Sequence, residues 1–186
     1  FQFFSKSLSD GAKSITGNQS LVQSLAFPRL TLPLAEVMEH FLSLLPSMGL
    51  LLLILPLLGH PPAWSWLLLV PLLALYTLFN AGIAMIAARL TVHVRDLTQV
   101  LPFISRILFY TSGVLFDVNR IFDSHPWVIA VYDFHPLYQV LTIARHSLMG
   151  GSYNPYYWLY FSLYAVITFV VGLVFFWVAE ERYGRD

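Results

Sequence analysis

Residues 41–88 contain no Asp, Glu, Lys or Arg, a run of 48 positions without a formal charge. About 20 residues of helix cross the hydrocarbon core of a bilayer, so the run is too long for one crossing. Gly59-His60-Pro61-Pro62 lies inside it. Glycine and proline end a helix and start a turn. The pattern predicts a helical hairpin over residues 34–58 and 64–88. Two more stretches have the same character: 97–116, 20 residues with Arg106 as the one charge, and 156–179, 24 residues with none. Backbone in lipid must satisfy its own hydrogen bonds, and the period-two alternation of a barrel is absent, so all four are expected as transmembrane helices.

Composition closes off other classes. Hydrophobic residues make up 58% before glycine is counted, and only 11% are charged; an ordinary soluble domain has about 45–50% apolar with glycine and about 25% charged. Net charge is zero, which leaves no electrostatic footprint for a nucleic acid. There is no cysteine, hence no disulfide framework, thiolate nucleophile or zinc–thiolate site. The fold class is an all-α integral membrane protein. The chain opens on Phe1 without the basic start, apolar run and cleavage site of a secretory leader. We expect the natural chain to extend further forward, with 1–16 as the end of a preceding helix.

Basic residues set the orientation. One side would hold Lys6, Lys13, Arg29, Arg89, Arg95, Arg182 and Arg185, and the other Arg120 and Arg145 beside Asp117, Asp123 and Asp133. The first side, with the C-terminus, is therefore expected in the cytoplasm. Trp64, Trp66, Trp127 and Trp158 fall near the opposite helix ends, where amphipathic rings prefer to sit.

Two segments do not span. In 17–33, Asn18 can cap a short helix whose Leu21, Val22 and Leu25 share one face, before Phe27-Pro28 stops it. A helix resting on headgroups usually has a Lys/Arg-rich polar face. Here that face is Asn18, Gln19, Ser20, Gln23 and Ser24, which favours docking into a protein groove. The second segment, 117–154, is too long and apolar for a plain outer loop. Pro136 near a helix start and Gly150-Gly151 past its end mark a helix with an apolar stripe of Leu137, Val140, Leu141, Ala144 and Leu148. With the apolar stretch before it, this predicts a re-entrant helical hairpin in the outer leaflet; a surface amphipathic helix fits the same pattern.

Arg106 lies ten residues past Asp96, about 15 Å of helix, near mid-membrane. A charge there costs at least about 2.5–3.5 kcal/mol and usually faces an interior or an aqueous cavity. Its guanidinium suits phosphate; pairing with a neighbouring carboxylate or carbonyl is the structural alternative. Phe103, Phe109, Tyr110 and Phe116 lie on or near the same helix. Aromatic faces can pack against sugar C–H surfaces, although ordinary packing or lipid contact is the simpler account of any single ring. Together these five are the candidate translocation path. Glu36, Glu39 and His40 read as an interfacial polar cluster at a helix N-terminus rather than a proton relay. The six histidines show no metal-ligand spacing, so no metal site is expected, and no catalytic nucleophile set is visible. No phosphate-binding G-x-x-x-x-G-K-[ST] loop occurs, so energy from ATP would have to enter through another chain.

In order and spacing, several pieces resemble the permease subunit of bacterial ABC-2-type polysaccharide exporters, the group that moves O-antigen, teichoic acid and galactan. They are Asn18, Leu21, Val22, Phe27-Pro28-Arg29 and Leu32-Pro33; then Arg95-Asp96 with Pro102; then His135-Pro136-Leu137 with Arg145 and Gly150. The family usually has asparagine where His135 stands. The resemblance covers nearly the whole chain, beginning inside the family's second transmembrane helix. It implies the ABC-2, type V-like exporter fold, with six helices per subunit in a homodimer. It implies a partner dimer of ABC ATPase subunits that binds ATP and Mg, leaving no cofactor in this chain. It also implies that 17–29 is the cytoplasmic coupling helix, placing Asn18, Leu21, Val22, Leu25, Phe27, Pro28 and Arg29, with Arg95 and Asp96, against that partner. The expected cargo is lipid-linked polysaccharide crossing the bacterial inner membrane, with membrane lipid around the protein. The alternatives are an ABC-2 permease for a drug or small lipid, and a membrane enzyme acting on lipid-linked sugars.

Overall fold

The computed structural model describes residues 1–18, 28–94, 96–115, 118–121 and 126–183. Among them every regular element is helical. The α-helices are α1 (Gln2–Gly17), α2 (Thr31–Ile54), α3 (Leu69–His93), α4 (Leu97–Thr111), α5 (Val118–Ile121), α6 (Pro126–Asp133), α7 (Pro136–Met149) and α8 (Tyr156–Tyr183). Short 3₁₀ turns at Leu55–Leu58 and Trp64–Leu68 extend α2 and α3 toward each other. Among the described residues three helical stretches are long and apolar enough to cross a membrane: Thr31–Leu58, Trp64–His93 and Tyr156–Val178.

The turn between α2 and α3 falls at Gly59, with helical stretches over 31–58 and 64–93 where 34–58 and 64–88 were expected. Gly59 takes φ +89°, a left-handed turn that a side chain would strain, and its amide donates to the Leu55 and Pro56 carbonyls. Pro33, Pro71 and Pro136 each fall in the first turn of a helix, where a missing N–H breaks no internal bond. Thr31 Oγ1 donates to the Pro28 carbonyl at 2.7 Å and fixes the entry to α2.

The helix α3 is the centre of the molecule. Of its most apolar stretch 44% is buried, against 22% for α8 and 6% for α2. Phe3 meets Tyr76, Phe4 stacks on Phe79, and Gly11 abuts Ala84, so α1 runs parallel to α3. Phe161 touches Tyr76 and Phe79, Thr168 lies on Gly82, and Phe176 joins Met85, so α8 is parallel too. Between these helices small residues replace bulk. A Cβ on Gly11 would come within 2.6 Å of the Ala84 Cβ. In lipid, where apolar burial drives little association, such close approach gains dispersion contacts instead. The helix α2 runs the other way, with Val37 in the core and Leu34, Phe41, Leu44, Met48 and Leu52 along the same stripe.

The C-terminal ends of α1, α3 and α8 therefore share one side with the start of α2. On the opposite side the hairpin turn is tied to the end of α7. Ser65 Oγ donates to the Ser147 carbonyl at 2.7 Å, and Trp66 Nε1 to that of Leu148 at 3.2 Å. The helix α7 is buried beyond its expected stripe. Of that stripe Leu137 and Val140 are buried and Leu141, Ala144 and Leu148 half-buried, while Tyr138, Gln139, Thr142, Ile143 and Ser147 are buried too, because α3, α8 and the Trp64–Leu68 turn enclose the helix. Gln139 satisfies part of its amide by donating Nε2–H to the Asp133 carbonyl.

Two boundaries differ from expectation. The helix α4 covers 15 residues and stops at Thr111, because Gly113 turns the chain at φ +70°. Its length, about 22 Å, falls short of a hydrocarbon core of about 30 Å. Asn18, expected to cap the following helix, closes α1 instead, with its amide donating to the Ser14 carbonyl at 2.9 Å.

Candidate functional site

The periodicity of α4 divides it into two faces. Leu101 and Ser105 are buried, and Leu97, Leu108 and Phe109 lean the same way. Phe103, Arg106, Ile107 and Tyr110 share the exposed face, with Phe103 64% and Tyr110 55% accessible. Phe109 does not join them. Its ring meets Phe1 at 5.1 Å and Tyr110 edge-on at 5.6 Å. Of the predicted path, Phe103, Arg106 and Tyr110 thus come together, Phe109 packs inward, and Phe116 lies outside the described residues.

Depth follows from ring contacts. Phe109 touches Phe1, Phe1 touches Phe4, Phe4 stacks on Phe79 and Phe79 meets Phe161, with centroids 5.1–6.2 Å apart. Phe79 stands at the middle of Trp64–His93. Arg106 is one turn, about 5 Å, from that layer. An exposed guanidinium at this depth is costly in lipid. The α4 face suits a water-filled path or a second protein surface, with the cation flanked by two rings.

The segment assigned to docking is described only at its borders. Leu21, Val22, Leu25 and Phe27 lie outside the described residues, as does Arg95. Pro28 is exposed and Arg29 half-buried at the foot of α2, and Asp96 is exposed where α4 begins. The Asp96 side chain does not cap its helix.

A polar cluster joins α1 to α2 on the same side. His40 Nε2 stands 2.9 Å from an Asp10 carboxylate oxygen, and donor atoms of Asp10, Glu36 and His40 all lie within 4.8 Å of one another. The i,i+4 pair Glu36–His40 was visible in the sequence; Asp10 was not, since no local spacing announces a residue from another helix. Two carboxylates and an imidazole can share a proton or a cation between the helices that flank 19–27.

On the opposite side, His135 occupies the N-cap of α7. Its Nδ1 accepts from the Tyr138 N–H at 3.3 Å, and burial holds the imidazole below its ordinary pKa. Arg145, placed in sequence with the closing glycine, reaches back instead: Nη2 donates to the Gly113 carbonyl at 3.3 Å and braces the exit of α4.

Comparison with known proteins agrees with this architecture. Residues 3–149 match the family model described as ABC-2 type transporter. Two proteins of Klebsiella pneumoniae named O-antigen export system permease protein RfbA are 28% and 27% identical, each across all of this chain and 71% of the relative. A protein of the same name from Myxococcus xanthus is 26% identical over 66% of this chain and 47% of its own length.

Proposed function

The chain belongs to the ABC-2 type transporter family, and from that premise we propose that it is the permease subunit of an exporter that moves lipid-linked polysaccharide across a bacterial inner membrane. The relatives named for O-antigen export support the cargo class. The observation that carries the reading is the exposed face of α4, where Phe103, Arg106 and Tyr110 stand exposed within two turns of the mid-depth ring layer. Rings beside a cation fit a glycan sliding behind a phosphate-bearing lipid. A helix too short to cross alone is better placed against a path than against lipid.

The subunit works as a homodimer in this proposal, with its α4 faces toward a shared path. ATP and Mg are bound by a separate ATPase dimer. The excess of basic residues on that side supports a cytoplasmic location for the ends of α1, α3 and α8, with the C-terminus. The ATPase would grip residues 17–29, with Leu21, Val22, Leu25 and Phe27 as the apolar ridge, and Arg95 and Asp96 as a second contact. Closure of the ATPase dimer then shifts the helices as rigid bodies. Co-purification tests the arrangement: an ATP-binding chain is expected with the wild type and absent from the double variant Leu21→Asp, Val22→Asp. Retained association in that variant would sink the docking assignment.

A further inference from the structure

A polar cleft of about 330 Å³ opens on the side of the hairpin turn, between α6, α7, the 150–155 connection and the start of α8. Its working groups are Asp133, His146, Ser152, Tyr153, Asn154 and Tyr157. None belongs to the α4 face or to the docking segment.

These groups are already held in place. The Tyr157 hydroxyl donates to the Asp133 carboxylate, and the Asp133 carbonyl accepts from Gln139. His146 Nδ1 lies 2.8 Å from the Thr142 carbonyl, so the proton sits on Nδ1 and Nε2 presents a lone pair. The Tyr153 ring rests 5.7 Å from that imidazole, and its hydroxyl accepts from Trp158 Nε1 at 2.9 Å. Asn154 Oδ1 accepts from the Tyr156 amide at 3.1 Å, which leaves its NH₂ as a donor.

The inventory selects a ligand class. There are acceptors on Asp133 and His146, a donor pair on Asn154, a hydroxyl on Ser152 and the rings of Tyr153 and Tyr157. Among the described residues no Lys or Arg lines the cleft, and its one full charge is the negative Asp133. An anionic ligand is disfavoured; a neutral molecule with several adjacent hydroxyls and a C–H face is matched. The volume is near the lower end of the range for ligand pockets, about 300–1,000 Å³, and suits one sugar ring rather than a lipid or a drug.

We propose that this cleft is a binding subsite for a single neutral pyranose, which holds one residue of the glycan as it leaves the membrane. The source of the sugar rests on the export reading above; the cleft's chemistry does not.

Saturation-transfer NMR on the permease with its ATPase in nanodiscs tests it. The probes are the methyl glycosides of glucose, galactose and mannose, with glucuronate as the charged control. Transfer to the ring protons of at least one methyl glycoside is expected at 20 mM, with none to glucuronate. Asp133→Asn keeps an acceptor for Tyr157, and His146→Gln keeps a polar group; each is expected to cut the transfer at least fivefold with the melting temperature unchanged. No transfer from any probe, or equal transfer in both variants, would overturn the subsite. Wild-type export in Asp133→Asn cells together with lost probe binding would overturn its role in export and leave a site for free external sugar. ATPase co-purification, read on the same nanodiscs, fails separately if the export reading is wrong.

Discussion

Gly172 of α8 lies directly on the backbone of Gly82 in α3: a methyl group on Gly172 would stand 2.6 Å from the Gly82 carbonyl oxygen. The crowding runs both ways along the helix pair, since a Cβ on Gly82 would come 2.5 Å from the Thr168 carbonyl, one turn before Gly172. The obstacle is main chain in both directions, so no side-chain rotation relieves it.

Gly82→Ala is therefore expected to destabilise by about 1–3 kcal/mol through forced separation of the two helices. Gly49, in α2, has nothing within 4 Å of its would-be Cβ. Alanine there gains helix propensity of about 1 kcal/mol. Thermal melting of both variants in detergent should separate them, Gly82→Ala falling and Gly49→Ala holding or rising. Equal melting temperatures would mean that the close approach is not present in the membrane form.

A pH effect is expected at the N-cap of α7. Burial lowers the pKa of His135 in the folded state, so between the folded value and about 6.5 the unfolded chain binds more protons. Stability should be flat above about pH 6.5 and fall as the pH drops below it, because the unfolded chain takes up a proton that the buried imidazole refuses, and level off below the folded value. His135→Asn keeps an acceptor and does not titrate. Melting curves between pH 5 and 7.5 should show a smaller acid loss in the variant; identical slopes would place the acid sensitivity elsewhere.

At mid-depth, Arg106→Glu is expected to abolish export while dimer and ATPase still co-purify. Arg106→Lys keeps the charge without the planar fork and should retain part of the flux. Export measured in cells at matched protein levels decides it. Normal flux in Arg106→Glu would remove this residue from the path.

The brace between α7 and the exit of α4 can be cut from either end. Gly113 sits at φ +70°, with the Tyr138 ring 3.1 Å from a would-be Cβ, so Gly113→Ala is strained by both backbone and neighbour, by about 1–2 kcal/mol. Arg145→Gln removes the donor to its carbonyl. Faster hydrogen exchange at residues 112–115 is expected in each; unchanged exchange would show that the turn holds itself.

Features fixed by neighbours in sequence are legible in the chain itself. Gly59 and the prolines after it announce the hairpin turn, and Pro136 with Gly150 bounds α7 to the residue. What escaped depends on partners far along the chain. Asp10 finds His40 across 30 positions, Trp66 finds Leu148 across 82, and Gln139 is buried because three other elements surround it. Phe109 looked equivalent to Phe103 on a helix whose inward side was unknown; the ring of Phe1 decides between them. The early end of α4 had a local sign in Gly113, outweighed by the apolar residues that follow it.

The helix α2 meets the rest of the molecule along one stripe, Leu34, Val37, Phe41, Leu44, Met48 and Leu52, and turns its other sides outward. A single line of contact resists sliding, because its knobs interlock, but it opposes rolling only weakly. Geometrically it is a door on its hinge pin. Rolling about that line would carry the outward side of α2, with Leu42, Leu50 and Leu53, and leave the packed stripe in place.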